Sequence, residues 1–251
     1  MTMKPGFWLP LIVLLLLATG ARAQTAAEAA LTARGEAVLR TFQNSVQTYT
    51  AQFSQAVYDD TGALKRDGRA TGSVVIGRPG KFVWKYLEPY EQHLIADGSN
   101  LWSWDVDLDQ ISVRAQREAL GQSPAQVLSG TIDALEAFDY QGALEQDGAL
   151  VVQLAGRDQQ SDFRVMRLAF RDEVLVGMRI GDSLGQTTDI QFTDVQINTQ
   201  IAPDTFEFVP PDGVDVVGTP ISETGIAPPD TMPATAEPRD TAVQAIVSGQ
   251  G

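Results

Sequence analysis

The sequence predicts an α+β fold in which helices cover a strongly curved, incomplete antiparallel half-barrel. Three observations predict it. A single amphipathic helix lies near the N-terminus, short strands of alternating apolar and polar residues fill most of the rest, and one helical break interrupts the strands. The helices would lie over one side or mouth of the half-barrel and act as a lid over an apolar cavity.

The first 23 residues predict a secretory signal peptide. Lys4 precedes an apolar run at residues 9–18, and Ala21-Arg22-Ala23 has the small-x-small form of a cleavage site. A membrane anchor is the alternative, but the run is shorter than the roughly 20 apolar residues that span a bilayer. Export of residues from Gln24 onward is therefore expected.

Composition narrows the possible partners. The chain has no Cys, so neither a disulfide nor a lipidated N-terminal cysteine is expected. Removal of the signal peptide takes away Lys4 and Arg22, which lowers the 18 basic residues to 16 against 32 acidic ones, a formal charge of −16. Binding to nucleic acid or to anionic lipid surfaces depends on basic patches, so this charge argues against both.

Residues 26–47 predict the N-terminal helix, because apolar residues from Leu31 to Val46 recur at a spacing of about 3.6. Period-2 alternation then predicts strands. They lie around Ala51/Phe53/Gln55/Val57, Val74/Ile76, residues 80–86, Leu94/Ala96, Trp102/Trp104, Ile111/Val113, Leu150/Val152/Leu154, Met166/Leu168/Phe170, Val174/Val176/Met178/Ile180 and Ile190/Phe192. Short turns such as Asp97-Gly98 and Gly181-Asp182 separate them, which is typical of an antiparallel meander.

The break between the strands predicts short helices. Ser123 and Pro124 form an N-cap and first-turn pair, and Gly130 ends the helix that follows. A further helical turn is expected at residues 132–135. From Gly218 to Gly251 the chain has no aromatic residue and is rich in Pro, Ala and Thr, so we expect a disordered tail at 218–251 after one domain at 24–217.

An aromatic stripe is the main candidate site. Period-2 geometry places Arg78, Phe82, Trp84 and Tyr86 on one strand face and Lys81 on the opposite, solvated face. An arginine in phase with such a stripe either lies at the rim or donates to nearby main-chain carbonyls. Ordinary core packing is the alternative for the rings. The residues expected to line a cavity are Phe53, Phe82, Trp84, Tyr86, Trp102, Trp104, Met166, Leu168, Phe170 and Phe192.

Catalytic and metal sites are not expected. His93 is the only histidine and lies on the strand face opposite Leu94; with no Gly-x-Ser-x-Gly elbow in the chain, a solvated strand histidine is the preferred interpretation. Residues 105–109 imitate the start of a calcium loop, but Gln110 and Gln116 stand where Gly and Glu are required. No cofactor is expected.

Several motifs in order resemble the LolA family of outer-membrane lipoprotein carrier proteins over roughly residues 30–217. They are Phe53-Ser54-Gln55, Arg78-Pro79-Gly80-Lys81-Phe82-Val83-Trp84, Asp97-Gly98, Leu101-Trp102, the 105–110 turn, Ser123-Pro124, Asp182, Gly185-Gln186, Phe192, Asn198, Phe206-Glu207-Phe208-Val209-Pro210-Pro211 and Gly213-Val214-Asp215-Val216. The resemblance implies about eleven strands, and it implies that Arg78 is the arginine that latches the lid.

The resemblance also implies a function and partners. Such a chain would be a monomeric periplasmic chaperone that takes acylated lipoproteins from an inner-membrane ABC transporter to the outer membrane, where a receptor is often present. The receptor shares the fold but normally carries a cysteine at its cleavage site, which this chain lacks. The alternative from another class is a periplasmic sensor of lipid or lipoprotein with a related fold; an esterase is a more distant one.

Overall fold

The computed structural model describes residues 10–120, 124–157 and 163–221, with side chains from residue 26 onward. These described residues form four α-helices, one short 3-10 helix at Pro203–Phe206 and twelve strands. The α-helices are α1 Pro10–Ser45, α2 Gln116–Leu120, α3 Pro124–Ser129 and α4 Ala134–Ala137. The strands are β1 Thr48–Tyr58, β2 Leu64–Gly77, β3 Lys81–Glu88, β4 Gln92–Ala96, β5 Asn100–Asp105, β6 Gln110–Ala115, β7 Asp139–Gln146, β8 Ala149–Ala155, β9 Phe163–Arg171, β10 Val174–Asp182, β11 Thr187–Ile197 and β12 Asp215–Val217.

All twelve strands form one open, curved sheet in the order β12-β6-β5-β4-β3-β2-β1-β11-β10-β9-β8-β7. Neighbouring strands are antiparallel except β12, which runs parallel to β6. Bulges interrupt the register of β1, β2, β7 and β10, and bulges bend a strand and increase its twist. The predicted α+β class and the curved, incomplete antiparallel sheet are confirmed, with one strand more than expected.

The main core lies between the inner, concave face of the sheet and the helices. Every α-helix contributes buried residues to it, including Leu39 and Phe42 of α1, Leu120 of α2 and Leu128 of α3. The apolar stripe predicted for α1 packs here, because an amphipathic helix buries its apolar face against a core. We call the four helices the lid, since together they cover the inner face.

A second, smaller core lies on the outer face of β3–β6. Val83, Ile95, Trp102 and Val113 are direct cross-strand partners, and Phe206 packs over them. Pairing of β12 with β6 holds the C-terminal segment across this face. The expectation that the face carrying Lys81 is simply solvated is therefore wrong: the lysine is exposed, but the apolar residues beside it are covered.

The ends of the predicted elements differ in part from the structure. Helix α1 ends at Ser45 and extends back to Pro10, through the predicted cleavage site, so cleavage remains a prediction. Helix α3 starts at Pro124 as predicted, while Ser123 lies outside the described residues. Of the predicted tail, only residues 218–221 are described, and the Ile221 N–H donates to Asn100 Oδ1 at 2.7 Å.

Among the helices that the structure describes, none combines the length and apolar character needed to cross a membrane.

Candidate functional site

Arg78 lies in the turn between β2 and β3, at the rim of the inner face. Its Nη1 donates to the carbonyls of Phe42 at 2.6 Å, Gln43 at 3.1 Å and Val46 at 3.3 Å. Its Nε donates to the Leu128 carbonyl at 3.0 Å. One guanidinium therefore joins the end of α1 to α3, and both helices to the sheet.

Helix ends explain why carbonyl groups are available to Arg78. The last carbonyls of an α-helix lack intrahelical donors and carry the negative end of the helix dipole, so a cation is favourable there. The Arg78 guanidinium carbon also lies 4.3 Å from the centre of the Phe42 ring, close enough for a cation–π interaction. Burial lowers the pKa of Arg78 to about 10, so the side chain keeps its charge at neutral pH.

Three neighbours that sequence reasoning missed support this junction. The Gly80 N–H donates to the Ser129 carbonyl at 2.9 Å, and buried Gln116 donates to the Gly80 carbonyl at 2.6 Å. Gly130 has a φ of +68°, and a Cβ there would lie 2.9 Å from Arg78 Cδ. The sequence offered a signal only for Gly130, as a helix terminator; Gln116 becomes recognisable once α2 is placed.

Asn198 fastens the same end of α1 from the other side. Its Nδ2 donates to the Ser45 carbonyl at 2.9 Å, and its Oδ1 accepts from the Gln47 N–H at 2.7 Å. Asn198, directly after β11, therefore binds the end of α1. Side chains at two separate strand ends, Arg78 and Asn198, thus hold the lid.

Eight of the ten residues expected to line a cavity lie together in the main core. They are Phe53, Phe82, Trp84, Tyr86, Met166, Leu168, Phe170 and Phe192. Their rings pack edge-on or tilted: Phe53 lies 4.8 Å from Trp84 and 5.2 Å from Tyr86 between ring centres, and Trp84 lies 6.1 Å from Phe192. The stripe is thus continuous with rings from β1 and β11.

Trp102 and Trp104 do not belong to this wall, and the expectation that they share it is wrong. Both pack in the second core on the outer face, where Phe208 lies 5.3 Å and 6.0 Å from their respective ring centres. The physical reason is register: the Trp102 partner is Ile95 and the Ile95 partner is Val83, and Val83 lies on the face opposite Trp84.

Asp97 holds Trp102 in that second core. Its carboxylate accepts from the Trp102 indole at 2.9 Å, from the Ser99 N–H at 2.8 Å and from the Asn100 N–H at 2.7 Å. Burial works to raise the pKa of Asp97, but these hydrogen bonds outweigh it and the pKa lies below its usual value. The Asp97-Gly98 and Leu101-Trp102 motifs are thereby explained as one folded turn.

Where the described residues of α3 meet the sheet, little space remains. A void of about 10 Å³ remains between β2, β3 and α3, which is about the room of one water molecule. Its lining residues are Ile76, Phe82, Trp84, Ala125, Leu128 and Ser129. Helix α3 thus packs closely on β3 at this place, and the lining of a larger cavity by the eight residues stays a prediction.

A larger groove of about 160 Å³ lies on the outer face of β7–β11. Three arginines, Arg167, Arg171 and Arg179, line it beside small and apolar residues, and Arg179 forms an ion pair with Asp189. A charged, partly paired groove of this kind is a poor match for apolar ligands, so it does not compete with the inner face for that role.

His93 lies on the face opposite Leu94, as predicted, but it is not solvated. Its ring meets Trp104 edge-on at 5.2 Å, and its Nε2 lies 2.9 Å from Glu91 Oε1. Burial lowers the pKa of His93. In the described part of the chain, no group of three or more His, Cys, Asp or Glu residues is placed to hold a metal ion.

Comparison with known proteins places this geometry in a family. The family described as "Outer membrane lipoprotein carrier protein LolA" matches residues 44–209. An outer-membrane lipoprotein carrier protein of Legionella pneumophila is 37% identical over 209 residues, which cover 82% of this chain and 96% of that protein. One of the same name from Methylobacillus flagellatus is 38% identical over 186 residues, 74% of this chain and 90% of its own.

Among solved structures, a LolA-superfamily protein from Nitrosomonas europaea aligns with a TM-score of 0.41 and is 11% identical, over 68% of this chain and 96% of that protein. The family match over more than half of the chain, and the relatives above 30% identity over most of it, establish the relationship. The chain belongs to the LolA family of outer-membrane lipoprotein carrier proteins.

Proposed function

We propose that this protein is a periplasmic chaperone that binds the acyl chains of lipoproteins released from an inner-membrane ABC transporter and carries them to the outer membrane. A receptor there, where one is present, would accept the cargo. Proteins of this family are carriers rather than enzymes, and nothing in the proposal requires a cofactor.

One observation supports the proposal: the partly buried Arg78 side chain bonds α1 and α3 at the rim of an interior made of aromatic and aliphatic side chains. Burying a methylene group contributes about 0.8 kcal/mol. Exposing one acyl chain of ordinary length to water therefore costs on the order of 10 kcal/mol. A carrier must offer such chains an apolar surface and still release them. A lid held by a few polar bonds satisfies both needs.

The latch supports reversible loading. Four hydrogen bonds from Arg78 stabilise the closed, empty state, so this state competes with cargo for the interior. A ligand shifts such an equilibrium only by its differential affinity for the open state. The carrier would thus hold acyl chains less tightly than its apolar area suggests, which favours transfer to the next acceptor.

The experiment is release of lipoprotein from spheroplasts. We expect the purified mature protein, added to spheroplasts that are synthesising lipoproteins, to bring newly made lipoproteins into the medium as a soluble complex. Native mass spectrometry of that complex should show an acylated passenger. If all the lipoprotein stays in the membrane while the added protein remains folded, the proposed carrier function is wrong.

A further inference from the structure

Three polar side chains lie inside the otherwise apolar wall. Gln55 is 8% exposed, Tyr86 5% and Trp84 2%. The Tyr86 hydroxyl donates to Gln55 Oε1 at 3.2 Å, which ties β3 to β1 across the intervening strand. Apolar cargo alone gives no reason for polar groups at this depth, because any aliphatic or phenyl side chain would supply the same contact area.

Trp84 differs from its two neighbours because its indole nitrogen has no hydrogen-bond partner among the described residues. An indole nitrogen is a donor only, so the missing partner must be an acceptor. Buried polar groups are nearly always paired, and each exception calls for an explanation. The indole lies beside the Tyr86 hydroxyl, where it partly offsets the burial that raises the pKa of Tyr86, but their geometry falls short of a hydrogen bond.

The position of Trp84 connects this donor with loading. Trp84 lines the small void between β3 and α3, opposite Leu128 and Ser129 of the helix. Movement of α3 away from β3 would enlarge this void first. A ligand that entered this space under the lid would therefore contact the Trp84 ring.

We propose that the Trp84 indole N–H is a subsite for the carbonyl oxygen of an ester or amide at the head of a bound acyl chain. This inference rests on the proposed function and deepens it. An acylated cysteine carries such carbonyl acceptors where each chain begins, whereas a hydrocarbon or an alkyl ether has none. The Tyr86–Gln55 pair positions the neighbouring wall. The Trp84 indole N–H fixes the place on this wall where one bound chain starts.

The second core supplies a matched control. The Trp104 indole nitrogen is also buried without a partner in the described structure, but Trp104 packs on the outer face against His93 and Phe208. Trp104 has the same indole N–H donor as Trp84 but lies on the opposite side of the sheet. Replacement of either ring by phenylalanine removes one indole N–H and retains an aromatic side chain.

The test compares two ligands that differ only in the carbonyl. One is a synthetic peptide with a dipalmitoylglyceryl-cysteine head, and the other is its dialkyl ether analogue of equal chain length. Affinities are measured by displacement of a fluorescent fatty acid from the full mature protein. We expect the wild type to prefer the ester by about three- to tenfold, the usual range for one buried hydrogen bond. Trp84→Phe should lose this preference, and Trp104→Phe should keep it.

A spectroscopic measurement makes the test independent of how well the variants fold. The infrared stretch of a ¹³C-labelled ester carbonyl bound to the wild type should lie below its frequency in an apolar solvent, as expected for a carbonyl that accepts a hydrogen bond in a dry site. An unshifted carbonyl, or equal affinity of the wild type for ester and ether, overturns the subsite while leaving the carrier function intact. Failure of the wild type to bind either ligand overturns the carrier function itself.

Discussion

Arg78→Leu is the most direct perturbation of the lid. It removes the four side-chain hydrogen bonds that join the turn after β2 to α1 and α3, while leucine retains an apolar stem of similar reach. The amides that should report opening are Gly80, which donates to Ser129, and Thr131, which donates to Gln126 at the end of α3. Hydrogen exchange at these two amides measures the population of the open lid.

Two opposing effects set the magnitude. The Nε and Nη1 groups donate to helix-end carbonyls, and hydrogen bonds from charged donors contribute about 1.5–3 kcal/mol each. The contact with the Phe42 ring adds about 0.5–1 kcal/mol. Against them, burial lowers the pKa of Arg78 from 12.5 to about 10, which corresponds to a cost of about 3 kcal/mol. A net of about 2 kcal/mol remains, equivalent to a roughly 30-fold change in the opening equilibrium.

We therefore expect exchange at Gly80 and Thr131 to accelerate about 30-fold in Arg78→Leu, with amides of the central strand β4 much less affected. Arg40→Leu is the matched control, because Arg40 lies on α1, whose end Arg78 binds, but forms only an exposed pair with Glu36, worth less than about 0.5 kcal/mol. Exchange in Arg78→Leu that matches this control at both reporter amides would refute the reasoning that Arg78 holds the lid.

The remaining predictions concern the wall, the second core and the glycine beside the latch. Phe82→Glu places a charge in the main core and should abolish binding of a fluorescent fatty acid; wild-type binding would mean that Phe82 does not face the ligand. Asp97→Asn should lower the urea midpoint at pH 7. The pKa of Asp97 is lowered from 3.8 in the folded protein, so the ionised carboxylate stabilises the fold above that pH. This stabilisation is lost as the pH falls through the folded pKa, and the difference in urea midpoint between wild type and Asp97→Asn should shrink below about pH 4. Gly130→Ala and Gly148→Ala both strain a positive φ, at about 1–2 kcal/mol each, but only the former crowds Arg78. Faster exchange at Gly80 is thus expected for Gly130→Ala alone, and equal exchange in the two variants would contradict the crowding.

The strands that period-2 alternation predicted are those with at least one buried face. Strand β7 escaped prediction because it is an edge strand with few apolar residues, and the described helix that contacts it most is α1. Strand β12 is three residues long and parallel to β6. Its pairing depends on where the C-terminal segment returns, which is a tertiary contact that no local pattern encodes.

Alternation identifies two faces of a strand but not which core each face enters. On β3 and β5 both faces are buried, so Trp84 and Trp102 look equivalent in the sequence although they lie in different cores. The sequence did suggest that Arg78 would donate to main-chain carbonyls of a covering element. It could not name Phe42 or Leu128, because those carbonyls belong to helices that are brought together only in the folded chain.

Under the proposed carrier function, the contact between α3 and β3 and the size of the latch together constrain how cargo is loaded. The space of about 10 Å³ between β3 and α3 admits no acyl chain, so entry between these two elements requires α3 to move away from β3. Opening costs about 2 kcal/mol at Arg78, and burial of about three methylene groups returns that amount at roughly 0.8 kcal/mol each. The latch is therefore too weak to exclude a long acyl chain and strong enough to disfavour an empty open lid. The same free energy is regained when the empty lid closes after release. The latch therefore lowers the affinity of the carrier for its cargo, and the next acceptor needs to exceed only this lowered affinity.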